Sequence, residues 1–349
     1  MNEENVWNTQ SSVSGKLSSP SARCLLNAIN KGRRAETSEA GKPLNNQPKI
    51  LVSLITKDND FQLEQAASAQ LAAEQLGIEA EILFADNDAV LQTQQLLSYI
   101  QEPNKRPDAI VVEPVGTGMS QVAKAAVSAG IGWVLINAGV DYISDLRLRS
   151  KTPVFTVVSN HEEIGRIQGR QLAALLGDEG CVLHIEGPTV RDVSRLRTQG
   201  MMSTKPPRVT VKKLKGDWTQ HSGYNAIKSW LSLSTSRDLH VGIIAAQNDD
   251  MAIGARRAFE EVGDLGERDA WLTRPIIGCD GVPKSGQKWV RDGKLSATVV
   301  SPPLVGEAIQ LLMNALRNGS QPAETTVVTP VSFPALNQLQ KAQASAQGS

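Results

Sequence analysis

From Lys49 the chain reads Lys-Ile-Leu-Val-Ser-Leu-Ile, an apolar run of the length of a buried strand. Leu63, Ala66, Ala67, Leu71 and Leu76 then follow at helical spacing, and Gly77 ends that segment, which predicts a helix over 61–76. The alternation continues with strand 79–84, helix 89–100, strand 109–112, helix 121–129 closed by Gly130, and strand 133–136. It starts again at Pro153. Strands are predicted at 153–158, 181–185, 209–214, 241–246, 275–278 and 297–300, and helices at 162–176, 193–201, 223–231 and 251–262. Strands alternating with helices build parallel sheets covered on both faces. The prediction is therefore an α/β protein of two doubly wound, Rossmann-like lobes facing each other across a hinged cleft. Ligands of such sheets bind at the C-terminal ends of the strands, so the cleft is the expected site.

The first 47 residues differ in texture. They are polar and rich in Ser, Asn and Gly, start acidic (Glu3, Glu4), and have no apolar cluster beyond Cys24-Leu25-Leu26. This segment is read as a disordered polar tail, with a short docking helix around Leu25–Ile29 or a mis-assigned start as alternatives. It lacks the basic start and long apolar stretch of a secretory leader, so the chain as written is expected in the cytoplasm. Beyond the tail at 1–47 and a disordered tail at 342–349, a family resemblance carried by segments further along the chain implies an N-terminal lobe from 48–157 and 302–328 and a C-terminal lobe from 158–301 and 329–341. The crossings between lobes, near Val158, Ser301 and Val328, would form the hinge.

Composition narrows the function. The 349 residues carry 36 Lys+Arg against 36 Asp+Glu, a balance unsuited to a surface built for nucleic acid. The longest apolar runs fall far short of the ~20 residues of a membrane-spanning helix. Cys24, Cys181 and Cys279 lie far apart without a CxxC pair, and His161, His184, His221 and His240 are scattered, so neither a disulfide scaffold nor a motif-level metal site is expected. Gly116-Thr117-Gly118 does not extend to a dinucleotide loop, and neither a Walker A loop nor a nucleophile elbow occurs.

The residues following each predicted strand form a polar and aromatic set: Asp58, Asn59, Asp60 and Phe61; Asn137; Arg191, Asp192, Arg195 and Arg197; Trp218; Gln247, Asn248, Asp249 and Asp250; Asp280; Ser301. Flat rings pack on the C–H face of a sugar, while amides, guanidinium and carboxylate groups give directed hydrogen bonds to hydroxyls. Such a set suits a small polyhydroxylated ligand. Each residue also has a structural reading. Asp280-Gly281 is a turn dipeptide, Asn248 can cap a helix, Arg195 can sit in a surface ion pair, Phe61 can staple the start of its helix, and Trp218 can be core. Asp249 and Asp250 are read as capping or solvent-facing, and Asn160 and Glu163 as caps near the hinge.

The segments AAQNDDMAIGARRAF (245–259), IIGCDGVP (276–283) and DGKLSATVV (292–300) carry a resemblance, with SRLRTQGM (194–201) and Asp58-Asn59-Asp60-Phe61 fitting less tightly. From about Pro48 to Pro334 the chain resembles the type I periplasmic binding proteins, in particular their ribose-type monosaccharide-binding branch. That fold is shared with the ligand-binding core of lactose-repressor-family regulators. The resemblance implies a non-catalytic receptor for a monosaccharide or similar polyol, without cofactor or metal. Its implied ligand contacts are Asn59, Phe61, Asn137, Arg195, Trp218, Asn248 and Asp280. Gln62 replaces a second aromatic, Asn137-Ala138 an Asp-Arg pair, and Ser301 a Gln of the family pattern, so the sugar stays open. A monomer is expected, partnered by an ABC permease or a signalling protein, with neither nucleic acid nor membrane insertion. The family habit of periplasm or cell envelope stands against the cytoplasmic reading of the N-terminus. A cytoplasmic sugar sensor with the same cleft is the alternative, and an enzyme using Asp280, His184 and Arg195 is a further one; fold by itself does not decide function.

Overall fold

The computed structural model describes residues 47–188, 192–236 and 239–347. Nearly all of the N-terminal tail expected over 1–47 lies outside them, as does Arg191. Strands β1 (Lys49–Leu54), β2 (Glu79–Phe84), β3 (Ala109–Val112), β4 (Gly132–Ile136), β5 (Val154–Ser159) and β11 (Thr325–Val328) form one parallel sheet in the order β11-β5-β4-β3-β1-β2. A second parallel sheet has the order β7-β6-β8-β9, from β6 (Glu179–Glu186), β7 (Arg208–Lys215), β8 (Val241–Ala246) and β9 (Ile276–Ile277). β10 (Thr298–Val300) and β12 (Val331–Phe333) pair antiparallel, and single bridges Ile277–Ala297 and Asp280–Val300 join β10 to the β9 side.

Alternate residues of β1 show how the first sheet is covered twice. Ile50, Val52 and Leu54 pack with α1 (Asp60–Leu76) and α11 (Leu304–Asn318), whereas Leu51 faces the cluster of α2 (Ala89–Gln101), α3 (Ser120–Ser128) and α4 (Tyr142–Arg149). The second sheet repeats the arrangement. Leu183 and Ile185 lie with α7 (Gln220–Leu231), α8 (Asp249–Glu260) and α9 (Leu265–Leu272); Val182 lies with α5 (His161–Leu176), α6 (Asp192–Thr204) and α12 (Leu336–Gln347). The exposed edge strand β7 carries Lys212, Lys213 and Lys215, charges that discourage pairing with another chain.

Helices α4, α9 and α12 and the short α10 (Gly286–Arg291) were not predicted; α4 and α10 are short and charge-rich, so they show little apolar period. α11, which was not predicted either, has a well-formed buried face and fills the first lobe's core. α12 runs through Gln347, across most of the segment expected as a disordered tail. Its Ala and Gln residues are good helix formers, and Leu339 anchors it in the core.

The helices of the second sheet touch backbone to backbone. A Cβ on Gly165 of α5 would lie 2.0 Å from the Arg197 carbonyl oxygen of α6, and one on Gly200 of α6 would lie 2.0 Å from the Glu162 carbonyl oxygen. Gly223 and Gly254 do the same for α7 and α8. Only glycine lets rigid main chains approach this closely. Gly165→Ala is therefore expected to lower the stability measured by urea unfolding by about 1–3 kcal/mol. Gly118→Ala, whose added Cβ meets nothing within 4 Å, should leave the urea midpoint in place.

Candidate ligand-binding site

The strand order of each sheet reverses next to its first strand, at β1 in one and β6 in the other. The loops that leave the carboxyl ends of neighbouring strands enclose a cavity. Its walls are Ile55, Thr56, Asn59, Phe61, Gln62, Asn87, Glu113 and Asn137 from the first sheet's side, and Val193, Arg197, Asp217, Trp218, Thr219, Asn248 and Asp280 from the second's. About 590 Å³ between the walls is free of protein atoms, counting the open mouth.

Six of the seven residues expected to bind ligand come together here: Asn59, Phe61, Asn137, Trp218, Asn248 and Asp280. Arg195 does not. It lies on the exposed face of α6, paired with Asp192 at 2.8 Å. Residues two apart on a helix point to opposite sides, and Arg197 is the one that turns inward. It is 4% exposed and 3.6 Å from the Asp280 carboxylate; it also donates to the Gln247 carbonyl and lies 5.6 Å from the Trp218 ring centroid. His184 is fully buried on β6, 3.6 Å from Glu186, and does not line the cavity. The Asp280–His184–Arg195 grouping is thus not assembled.

Asn59 and Asn248 each do two things. Their Oδ1 atoms cap α1 and α8, accepting from Phe61 N and Gln62 N and from Met251 N respectively. Their Nδ2 atoms, from opposite lobes, both donate to the Trp218 carbonyl, at 3.0 and 2.8 Å. An amide NH2 has two donors, so one N–H of each is not used in these two bonds. Trp218 itself is left-handed (φ 75°), and the ring packs against Gly187, where a Cβ would come within 2.2 Å. Five non-glycine residues have positive φ among those described, and four of them, Asn87, Asn137, Trp218 and Asp280, line this cavity. Backbone strain held in place by its surroundings collects at functional sites.

The first lobe contributes a network that was not foreseen. Glu113, 2% exposed, accepts from Gln62 Nε2 at 2.9 Å and from Asn137 Nδ2 at 2.7 Å. Gln62 in turn accepts from Ile55 N. Glu113 ends an apolar strand, and apart from its charge nothing in the sequence marks it.

Asp249 and Asp250 were expected to cap a helix or face solvent; Asn248 is the cap of α8, and both aspartates are buried. Asp249 accepts from Thr298 Oγ1 and from Gly281 N at 2.7 Å, which fixes the turn that presents Asp280. Asp250 accepts from Asp60 N across the lobes at 3.2 Å and from Gln220 Nε2 at 3.0 Å. At the crossings between lobes, Ser159 and Ser301 share a hydrogen bond of 2.9 Å, and Asn160 N donates to Val328 O. Asn160 also caps α5, accepting from Glu163 N.

Burial pushes the Asp280 carboxyl up to about 7, with Arg197 opposing and Asp250 and Glu113 reinforcing the shift. Burial pushes Asp250 up to about 6. Burial, aided by Arg197, holds His161 well below its usual range. Between pH about 4 and 7 the folded chain holds a proton on Asp280 that the unfolded chain has released, so this group's contribution to stability falls as pH rises. His161 acts the other way, its contribution being lost as pH falls below about 6.5. Asp280→Asn removes the first contribution and leaves the burial of His161 in place. Relative to the parent protein, the ligand-free variant should gain about 2 kcal/mol in unfolding free energy between about pH 5.5 and 7.5, as followed by urea unfolding.

Comparison with known proteins agrees with this architecture. The periplasmic binding protein domain family matches residues 50–321. The chain is 26% identical over 281 residues to the galactofuranose-binding protein YtfQ of Escherichia coli, covering 79% of this chain and 84% of that one. It is 26% identical over 258 residues to the ribose import binding protein RbsB of the same species, covering 73% and 79%. A solved periplasmic solute-binding protein from Actinobacillus succinogenes, with bound D-allose, superposes with a TM-score of 0.71 at 22% identity, over 84% of this chain and 100% of that one.

Proposed function

The chain belongs to the periplasmic binding protein domain family, and from that premise we propose that its cavity binds a monosaccharide or similar polyol by closure of the two lobes. The members of this family are non-catalytic solute-binding proteins. The observation that carries the reading is the make-up of the walls. Phe61 and Trp218 offer ring faces, Asn59, Asn137 and Asn248 offer amides, and the Arg197–Asp280 pair offers a guanidinium and a carboxylate, with strained backbone concentrated at the same place. Alternating donors and acceptors beside aromatic faces match a ring of hydroxyl groups.

Relatives named for galactofuranose, ribose, xylitol and D-apiose support a polyhydroxylated ligand without choosing among these. Those named as import binding proteins support an ABC importer as partner and the periplasm or cell envelope as location. Arg197 takes the place proposed earlier for Arg195 as the guanidinium that meets the ligand. The lobes close by bending at the paired segments around Ser159, Ser301 and Val328, and the ligand selects the closed state by the contacts it makes only there.

The test is a thermal-shift screen with monosaccharides, polyols, sugar acids and amino acids, followed by calorimetry. A ligand at 100 times its dissociation constant adds roughly 2.7 kcal/mol of stability, and a sugar or polyol is expected to give that response. Asp280→Ala should then weaken its binding by about 1.5–3 kcal/mol, while Arg195→Ala leaves the affinity as it was. A response confined to amino acids, or the absence of any response to sugars and polyols, overturns the reading.

A further inference from the structure

Three segments cross between the lobes: Ser159-Asn160 after β5, Ser301-Pro302-Pro303 between β10 and α11, and Thr329-Pro330 between β11 and β12. The first two meet through their side chains. Ser159 is 5% exposed and Ser301 3% exposed, and it is their hydroxyl groups that share the 2.9 Å hydrogen bond. Each serine moves with a different lobe. Ser159 ends β5 in register with Val328 of β11, so it belongs to the first sheet. Ser301 N donates to the Asp280 carbonyl at 2.9 Å, and Asp280 N donates to the Val299 carbonyl at 2.9 Å. Ser301 is thus fastened, main chain to main chain, to a cavity wall of the second lobe.

Ser301 stands where the family pattern has a Gln, yet it does not line the cavity, and its hydroxyl is engaged by Ser159. The residues after it limit how that crossing can bend. Proline fixes φ, and a residue that precedes proline is held to extended backbone. Ser301 and Pro302 both precede a proline, and Pro303 itself is extended, with φ −64° and ψ 138°. The crossing is therefore a stiff strut. Rotation of the lobes has to be taken up where the strut meets its neighbour, at the Ser159–Ser301 contact. A hydrogen bond between two such short side chains holds over a narrow range of distance and angle. Here it is formed together with the other bonds between the lobes, from Asn59 Nδ2 to Trp218 O and from Asp60 N to Asp250.

We propose that Ser159 and Ser301 are positioning residues whose hydrogen bond is made with the lobes closed and broken when they open, and that they set ligand affinity without touching the ligand. Asp280 carries the connection, since its side chain faces the cavity and its main chain holds Ser301. This rests on the receptor reading above. A bond that favours only the closed form raises the fraction of chains competent to hold a ligand, so it strengthens every ligand by the same factor.

The experiment is calorimetry on the full chain with Ser159→Ala, Ser301→Ala and the double variant, using D-ribose, L-arabinose, D-galactose, xylitol and myo-inositol and the monodeoxy analogues of whichever binds. Each substitution removes one oxygen and adds no atom, and urea unfolding checks that the variants fold. Where a single variant folds poorly because its partner hydroxyl is left buried and unpaired, the double variant, which removes both groups, replaces it. Each single variant is expected to weaken every ligand by the same factor, about two- to tenfold, and the double variant by no more than either single one. Small-angle scattering of the ligand-saturated variants should give the same radius of gyration as the parent, because the closed form itself is unchanged. If affinities stay as they were in the single and double variants, the bond does not report closure and the proposal falls while the receptor reading stands. Factors that differ between a ligand and its deoxy analogue would mean that a serine hydroxyl touches the ligand, and a double variant that loses the product of the two single losses would mean that the serines do not act through each other; either result overturns the proposal. If the folded parent protein binds no sugar or polyol at all, both readings fall together.

Discussion

The contact between α5 and α6 governs the site more than any side chain in it. Gly165 and Gly200 bring the two helices together at main-chain distance, and the carbonyl that Gly165 touches is that of Arg197. A helix is stiff, so fixing its backbone at one residue fixes the direction in which that residue points. The guanidinium is thereby delivered into the cavity beside Asp280 instead of into solvent. Gln247 secures the same helix from the other side, accepting from Ser194 Oγ and Gly187 N and donating to Ser194 O and Thr198 Oγ1. All of its polar capacity is spent on holding α6 and the β6 loop in register. Asp249 does the equivalent for Asp280 by tying down Gly281. The charged pair of the site thus hangs on groups that never face the ligand.

This dependence explains where the sequence was legible. The β/α rhythm comes from long buried strands and capped helices, and each is a local pattern; the two sheets follow from it. Trp218, Asn248 and Asp280 were legible because each sits just past a strand, where chain direction alone sends it to the cleft. The choice between Arg195 and Arg197 was not, because it turns on the rotational setting of α6. That setting is decided by Gly200 and Gly165, which are 35 positions apart and speak only through the tertiary contact. Glu113 was hidden for a related reason: it closes an apolar strand, and its role appears only when Gln62 arrives from the first turn of α1 and Asn137 from the loop after β4. Asp249 and Asp250 were misplaced by a sound local rule. Acidic residues at a helix start are usually solvated, but here the adjoining turn and the opposite lobe cover them.

In the proposed receptor, closure and recognition would use the same atoms. The Trp218 carbonyl receives one amide from each lobe, so the ring that faces the ligand is set in place only when Asn59 and Asn248 are on either side of it. Asp250 adds a second link by accepting from Asp60 N. A ligand that uses the remaining N–H of either amide pulls on the link that joins the lobes. Its contacts with the ring and the stabilisation of the closed form are then not separable quantities. The left-handed backbone at Trp218 and Asp280 fits this view: a strained conformation costs free energy and persists because the surrounding bonds over-determine it.

The carboxylates supply the opposing force. Asp280 is buried beside one guanidinium at 3.6 Å, longer than a hydrogen-bonded ion pair, and its proton affinity is raised in spite of that partner. Desolvation therefore outweighs the Coulombic attraction in the ligand-free cavity. A hydroxyl group donating to the carboxylate would return some of what water supplied, and would do so only with the lobes closed around it. Charge in this cavity is thus held at a disadvantage until a ligand with directed donors arrives. A purely apolar molecule of the same size could fill the space but could not relieve that burial, and so could not drive closure. In the proposed receptor, a preference for polyols over apolar solutes would then come from the burial of this acid, while the aromatic faces would set how the ring lies.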